Sequence, residues 1–253
     1  MARRGDGFAA VILAAGQGKR MESPLAKVLH PVGGKPMIHH VVTTAREAGA
    51  APVVIVVGYQ ARDVQAAFSG DDAEVVFTVQ EEQRGTGHAA EVGLSGLPAE
   101  AKHLYLLCGD APLIRTATLR QLARIHEEAG AAATMLTATA GEPHGYGRTL
   151  REGAELIGVV EEADATEAQK KITEINTGAY VFEAAFLRAA LPRIRDENNQ
   201  GEFYLPDVFP IARAGGRVVQ GLDLASPEEA LGVNTQADLR RAQEIHEKRK
   251  LEG

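Results

Sequence analysis

One cysteine, Cys108, is all the thiol chemistry in this 253-residue chain, which excludes an internal disulfide framework and any zinc cage built on cysteines. A reducing cytoplasm is the expected address. Tryptophan is absent and aromatic residues make up only 5%, so recognition by stacked rings is poorly provided for. No apolar run approaches the roughly 18 residues that a membrane helix needs. The opening Met1-Ala2-Arg3-Arg4 reaches its apolar stretch too late and too briefly for a signal peptide, and no membrane partner is expected. An excess of positive charge is also missing. Lys and Arg number 27 against 34 Asp and Glu, a net charge of -7, which argues against a nucleic-acid binder. What is present is glycine, 27 of them, and a hydrophobic fraction of 45%. At this length a folded chain buries roughly 70–75% of its unfolded surface, so the core needs no staples. Glycines let backbone N–H groups approach a small anion closely.

Apolar runs of strand length lie at 8–14, 52–57, 74–79 and 103–108, rich in Val, Leu and Ile. Helical patterns alternate with them at 36–48, 60–68, 86–94 and 116–129, the first opening on Pro36 and the last closing on Gly130. Such alternation predicts a mainly parallel sheet covered on both faces, with ligands at the carboxyl ends of the strands. Beyond Gly130 the pattern loosens: strands are expected at 131–138, 156–161, 175–182 and 217–222, and helices at 203–214 and 235–250, the last as a charged, solvated face. No repeat or linker divides the chain, so residues 1–253 read as one domain, with 235–253 as a carboxyl-terminal helix.

The first strand runs into Leu13-Ala14-Ala15-Gly16-Gln17-Gly18-Lys19-Arg20-Met21, a glycine-rich turn with cations Lys19, Arg20 and Lys27 in reach of a phosphate. It is neither of two familiar nucleotide motifs. Met21 stands where a dinucleotide fingerprint wants its third glycine, and Gly34-Lys35 is followed by Pro36 rather than Ser or Thr. Gly109 and Asp110 follow the strand 103–108, which puts a carboxylate at a strand's carboxyl end, where a hard oxygen suits Mg²⁺. Gln80 closes another strand ahead of Gly85-Thr86-Gly87; its amide can both donate and accept, as a uracil edge requires. The histidines at 39, 40 and 88 sit in helical patterns and read as packing or surface residues.

From this loop onward the chain resembles the nucleotide-sugar pyrophosphorylases. The segments Leu13 to Met21, Lys27-Val28-Leu29, Gln80 to Ala89, Gly109 to Leu113, Gly145 to Arg148, Val160-Glu161, Glu174 to Gly178, Gln200 to Tyr204 and Gly232 to Asn234 carry the likeness. Their order and spacing are similar to bacterial N-acetylglucosamine-1-phosphate uridyltransferases. Each is weak alone; together in register they are specific.

The resemblance implies a three-layer, Rossmann-like α/β nucleotidyltransferase fold with a mainly parallel mixed sheet. It implies Arg20 and Lys27 as catalytic cations, and Leu13, Ala14, Ala15, Gly16, Gln80, Gly85, Thr86 and Gly109 as nucleotide-binding positions. Gly147, Glu161 and Asn176 would hold the sugar, with Glu202 and Tyr204 in the same pocket, and Asp110 and Asn234 would hold Mg²⁺. The reaction expected is UTP plus N-acetylglucosamine 1-phosphate giving UDP-N-acetylglucosamine and pyrophosphate, a step toward peptidoglycan and lipopolysaccharide. A pyrophosphorylase for another sugar or base, or a non-catalytic sugar-nucleotide sensor, stands as the alternative. Departures from the family pattern at Lys19, Ala26, Cys108, His144 and Pro206 bear on rate and sugar preference rather than on reaction class. The six-residue recurrence of the family's trimerising acetyltransferase β-helix is not visible, so acetyl transfer is not expected, and a monomer or weak dimer is.

Overall fold

A computed structural model describes residues 7–69 and 75–252. The elements in chain order are β1 (Phe8–Ala14), β2 (Pro31–Val32), β3 (Lys35–Pro36), α1 (Met37–Glu47), β4 (Val53–Val57), α2 (Ala61–Ala66), β5 (Val75–Val79), α3 (Thr86–Ser95) and β6 (His103–Cys108). After these come α4 (Thr116–Glu128), β7 (Ala133–Thr139), β8 (Arg148–Glu152), β9 (Glu155–Val160), β10 (Glu174–Glu183), α5 (Ala184–Ala190), α6 (Val208–Ala214), β11 (Val219–Asp223) and α7 (Gln236–Glu252). Glu74, expected to open β5, lies outside the described residues.

The main sheet runs β11-β7-β10-β6-β1-β4-β5, with β8 and β9 attached as a hairpin beside β10. Pairings of β1 with β4 and β6, of β4 with β5 and of β7 with β11 are parallel; β10 is antiparallel to both neighbours. The expected mixed, mainly parallel sheet is therefore present. Alternation along each central strand divides the core in two. Phe8, Ala10, Ile12 and Ala14 join Val53 and Ile55 beneath α1 and α4, whereas Ala9, Val11, Val54 and Val56 face α3, α5 and α6. A strand buried on both faces must be apolar throughout, as β4 is with five buried residues.

Chain direction sets the location of the cleft. From β1 the path goes out to β4 and β5, then returns to β6 on the other side of β1. The carboxyl ends of β1 and β6 thus flank a switch in strand order, where a crevice opens.

Three sequence readings need correction. The helix expected at 203–214 begins at Val208, after a 3-10 turn at Leu205–Asp207. Phe203 stays extended because its N–H donates to Arg84 O (2.9 Å) and its carbonyl accepts from Gly87 N (2.7 Å), while Leu205 N donates to Thr86 Oγ1 (2.9 Å). Next, α7 is more than a solvated face: Leu239, Ala242 and Ile245 are buried against Met21, Val32, Met37, Leu113, Leu231 and Val233. Finally, β2, β3, β8 and α5 were not expected. β2 and β3 are two residues each around Gly33-Gly34, and α5 follows β10 without a break.

Candidate active site

Two adjoining cavities, about 290 Å³ and 170 Å³, occupy the crevice and share Leu13, Thr86, Cys108 and Asp110 on their walls. The first is bounded by Leu13, Ala14, Ala15 and Gly16 from the turn after β1, by Gln80, Gly85 and Thr86, and by Lys27. The second holds Gly147, Glu161, Asn176 and Asn234.

The glycine-rich turn folds over Lys27. Gly18 is left-handed (φ 63°), and a Cβ there would stand 2.6 Å from the Lys27 Cβ, so only glycine lets the turn lie against that lysine. Gly85 (φ 103°) is forced in the same way, since a Cβ would meet Phe203 O at 2.6 Å. Gly109 lines neither cavity. Its N–H donates to Leu13 O (2.9 Å), and an added Cβ would strike Ile38 at 2.8 Å, so it seats the end of β6 against β1 from below.

At the junction of the cavities, four residues from distant parts of the chain converge. Lys27 Nζ is ion-paired with Asp110 and donates to Asn234 Oδ1 at 3.1 Å. Arg20 Nη2 donates to the same Oδ1 at 3.1 Å. Asn234 reaches this point because Val233 N donates to Asp110 O (2.9 Å), tying the 232–234 loop to the end of β6. A capping box at the start of α7 then fixes its backbone. Thr235 Oγ1 accepts from Asp238 N (3.1 Å), and Asp238 Oδ2 accepts from the N–H of Asn234 (3.0 Å) and of Thr235 (2.9 Å). Two oxygens, one carboxylate and one amide, already share one cation, the Lys27 ammonium. A sparse, hard donor pair of that kind fits Mg²⁺, which keeps most of its shell as water and phosphate oxygens.

The second cavity is acidic. Glu161 is pushed up to about 7, first by burial and then by the carboxylates of Asp207, Asp164 and Glu202. Gly147 lies against it: a Cβ there would be 3.1 Å from both Glu161 oxygens and 2.8 Å from Val159 Cγ1. Asn176 Oδ1 accepts from Gly178 N at 3.1 Å, which orients its amide. Glu202 is brought to the first cavity rather than the second. Tyr204 reaches the wall of neither; it is buried, and its hydroxyl has no hydrogen-bond partner among the described residues.

Sequence reasoning passed over Gln83 and Arg148. Gln83 lines the first cavity and donates from Nε2 to Ala15 O at 3.0 Å, clasping the glycine-rich turn. Arg148, 2% exposed, pairs with Glu162 at 2.6 Å and donates to Tyr146 O, stiffening the turn that presents Gly147. Both lie inside motifs read for their neighbours. Cys108 lines both cavities, yet burial and the adjacent Asp110 push its thiol up to about 12, so it is no nucleophile.

Residues 10–177 match the model of the MobA-like NTP transferase domain. This chain belongs to the MobA-like NTP transferase family. Among curated members, it is 46% identical over 241 residues to the bifunctional protein GlmU of Geotalea uraniireducens, covering 95% of this chain and 52% of that protein. To the bifunctional protein GlmU of Syntrophotalea carbinolica it is 48% identical over 244 residues, 96% of this chain and 52% of the other. The chain thus spans about half the length of these relatives. Among solved structures, a Bacillus anthracis protein assigned as a glucose-1-phosphate thymidylyltransferase superposes with a TM-score of 0.77 at 19% identity, covering 94% of this chain and 95% of that one. A nucleotidyl transferase from Methanothermobacter gives 0.66 at 21%, covering 96% and 99%. At those identities the likeness establishes the shared NTP transferase fold. No helix among the described residues is long and apolar enough to cross a membrane.

Proposed function

We propose that this NTP transferase domain makes UDP-N-acetylglucosamine and pyrophosphate from UTP and N-acetylglucosamine 1-phosphate. The observation that carries the reading is the convergence of Arg20, Lys27, Asp110 and Asn234 where the two cavities meet. A reaction joining two phosphorylated substrates needs its charge-handling groups at such a junction. UTP would lie along the first cavity, its base toward Gln80 and Gly85 and its phosphates toward the Leu13 to Gly16 turn. The sugar would lie in the second, against Gly147, Glu161 and Asn176. Its phosphate oxygen attacks the α-phosphorus in line, and the bond from that phosphorus to the bridging oxygen of pyrophosphate breaks. No covalent enzyme intermediate is required, since positioning and charge neutralisation supply the rate. Arg20 stabilises the departing pyrophosphate and Lys27 the phosphates at the reacting centre. Asp110 and Asn234 would hold Mg²⁺, which neutralises phosphate charge when bound.

Glycyl backbone at Gly147 suits the acetyl carbonyl, and carboxylate and amide side chains suit hydroxyls, which is why the acetamido sugar is favoured. A soluble, cytoplasmic setting without nucleic-acid partners accords with the charge balance. The test is pyrophosphate release by the purified chain with Mg²⁺ across a panel of UTP, CTP, ATP and dTTP, each with N-acetylglucosamine 1-phosphate or glucose 1-phosphate. UTP with the acetamido sugar should give the highest kcat/KM. Equal or better turnover of another pair would overturn the assignment, and no turnover of any pair would favour a sensor.

A further inference from the structure

The hydrogen bonds around Gln80 point to a positioning residue for base selection, and we infer that it is His88. The inference rests on the reading of the first cavity as a uridine nucleotide site. Gln80 is 3% exposed, and its Nε2 donates to Gly85 O at 3.3 Å. A carbonyl can only accept, so this contact settles which end of the amide faces Gly85. The same Nε2 lies 3.1 Å from His88 Nδ1. With Nε2 as the donor, Nδ1 must offer its lone pair, which places the ring proton on Nε2 of His88.

An amide nitrogen has two hydrogens, and both are now committed to the protein. The dual donor and acceptor role expected of Gln80 from sequence is therefore corrected: only Oε1, which accepts no hydrogen bond among the described residues, is left to face a base. An acceptor reads a ring N–H. Uracil carries one at N3; the N3 of cytosine is a lone pair and would be repelled. His88 supplies the acceptor for the second N–H of Gln80 and so adds to Gly85 O in keeping the amide from turning over. It stands in the first turn of α3, fixed by the helix that Gly85 and Thr86 start. Without it, one N–H of Gln80 loses its acceptor, and the flipped amide, which offers Nε2 to cytosine, becomes accessible. Gly85 O still opposes the flip, so selectivity relaxes without inverting.

The test uses the whole chain and three proteins: parent, His88→Leu, which fills the space without an acceptor, and His88→Asn, whose Oδ1 can stand near the position of Nδ1. The ratio of kcat/KM for UTP to that for CTP should fall roughly tenfold in His88→Leu, as for loss of one hydrogen bond. The loss should lie in KM, with kcat at saturating UTP near the parent value, and His88→Asn should recover most of the ratio. Competition binding of UTP and CTP should follow the same order. A folding defect in the variants leaves a measurement on the parent: the ¹⁵N shifts of His88 should report the Nε2–H tautomer in the neutral ring. An Nδ1–H tautomer, or an unchanged UTP to CTP ratio in folded His88→Leu, overturns the role of His88 alone. A parent that uses CTP as well as UTP overturns the uridine reading and this inference with it.

Discussion

The two cavities touch at Asp110 but differ in what else lines them. Around the first are backbone of the glycine-rich turn, the neutral amides of Gln80 and Gln83, the Lys27 ammonium and the Glu202 carboxylate. In the second, Glu161 is buried, and burial first, then the nearby carboxylates of Asp207, Asp164 and Glu202, resist its ionisation up to about pH 7. A triphosphate is attracted by the one and repelled by the other, whereas hydroxyls gain from carboxylates as acceptors. Polarity along the cleft thus sorts two substrates that both carry phosphate, and it leaves the cations at the boundary, where both phosphates must come.

The hardest blow to that division is removal of the boundary charge. Asp110→Ala and Arg20→Ala should each lower kcat by on the order of 10²–10³ while Tm stays near the parent value. Near-normal rates in both would detach the boundary from the chemistry. A smaller and one-sided effect is expected from Gly147→Ala, whose methyl must displace Val159 or crowd the Glu161 carboxylate. KM for the sugar phosphate should rise about tenfold and KM for UTP should not move. A rise shared by both substrates would show that the cavities are not separate subsites.

Titration sharpens the contrast further. Glu161 is mostly protonated in the folded protein below about pH 7, so kcat/KM for the sugar phosphate should rise as pH passes through about 7, and Glu161→Gln should flatten that step. Stability runs the other way. The folded pKa lies above the ordinary 4.5, so the folded state holds the proton more tightly, and this contribution is full below about 4.5 and lost as pH rises through about 7. Glu161→Gln should therefore melt higher than the parent at pH 8 and differ little at pH 4. The smallest effect is expected at Cys108. With its thiol pushed up to about 12, alkylation by iodoacetamide at pH 7.5 should be far slower than that of a free cysteine, despite its place on both walls.

The parts legible in the sequence are those in which local pattern and tertiary role coincide. β1, β4, β5 and β6 are apolar because both faces of the sheet are covered, and α1 and α4 show one apolar stripe each. The turn after β1 and the Asp after β6 could be placed at one crevice, because parallel strands deliver their carboxyl ends to one side. Elements ruled by distant contacts were not legible. Phe203 and Tyr204 lie in a helical pattern, yet the bonds from Arg84, Gly87 and Thr86 hold that stretch extended. Arg148, passed over in the sequence, is a buried strut, because its partners Glu162 and Lys170 are brought over it by the β8 and β9 hairpin and the segment that follows. Gln80 was found, but the direction of its amide depends on Gly85 O and His88, which no spacing rule reveals.

The capping box that opens α7 has a consequence for how the protein opens. The carboxylate of Asp238 that starts the helix is the same one that holds the Asn234 N–H, and the helix is seated on the body by Leu239, Ala242 and Ile245. Fraying of that first turn and dismantling of the junction are therefore a single event. In hydrogen exchange, the amides of Asn234, Thr235 and Asp238 should share one opening free energy, so a wave of deuterium entering the helix from this end would mark loss of the active geometry while the sheet beneath stays closed.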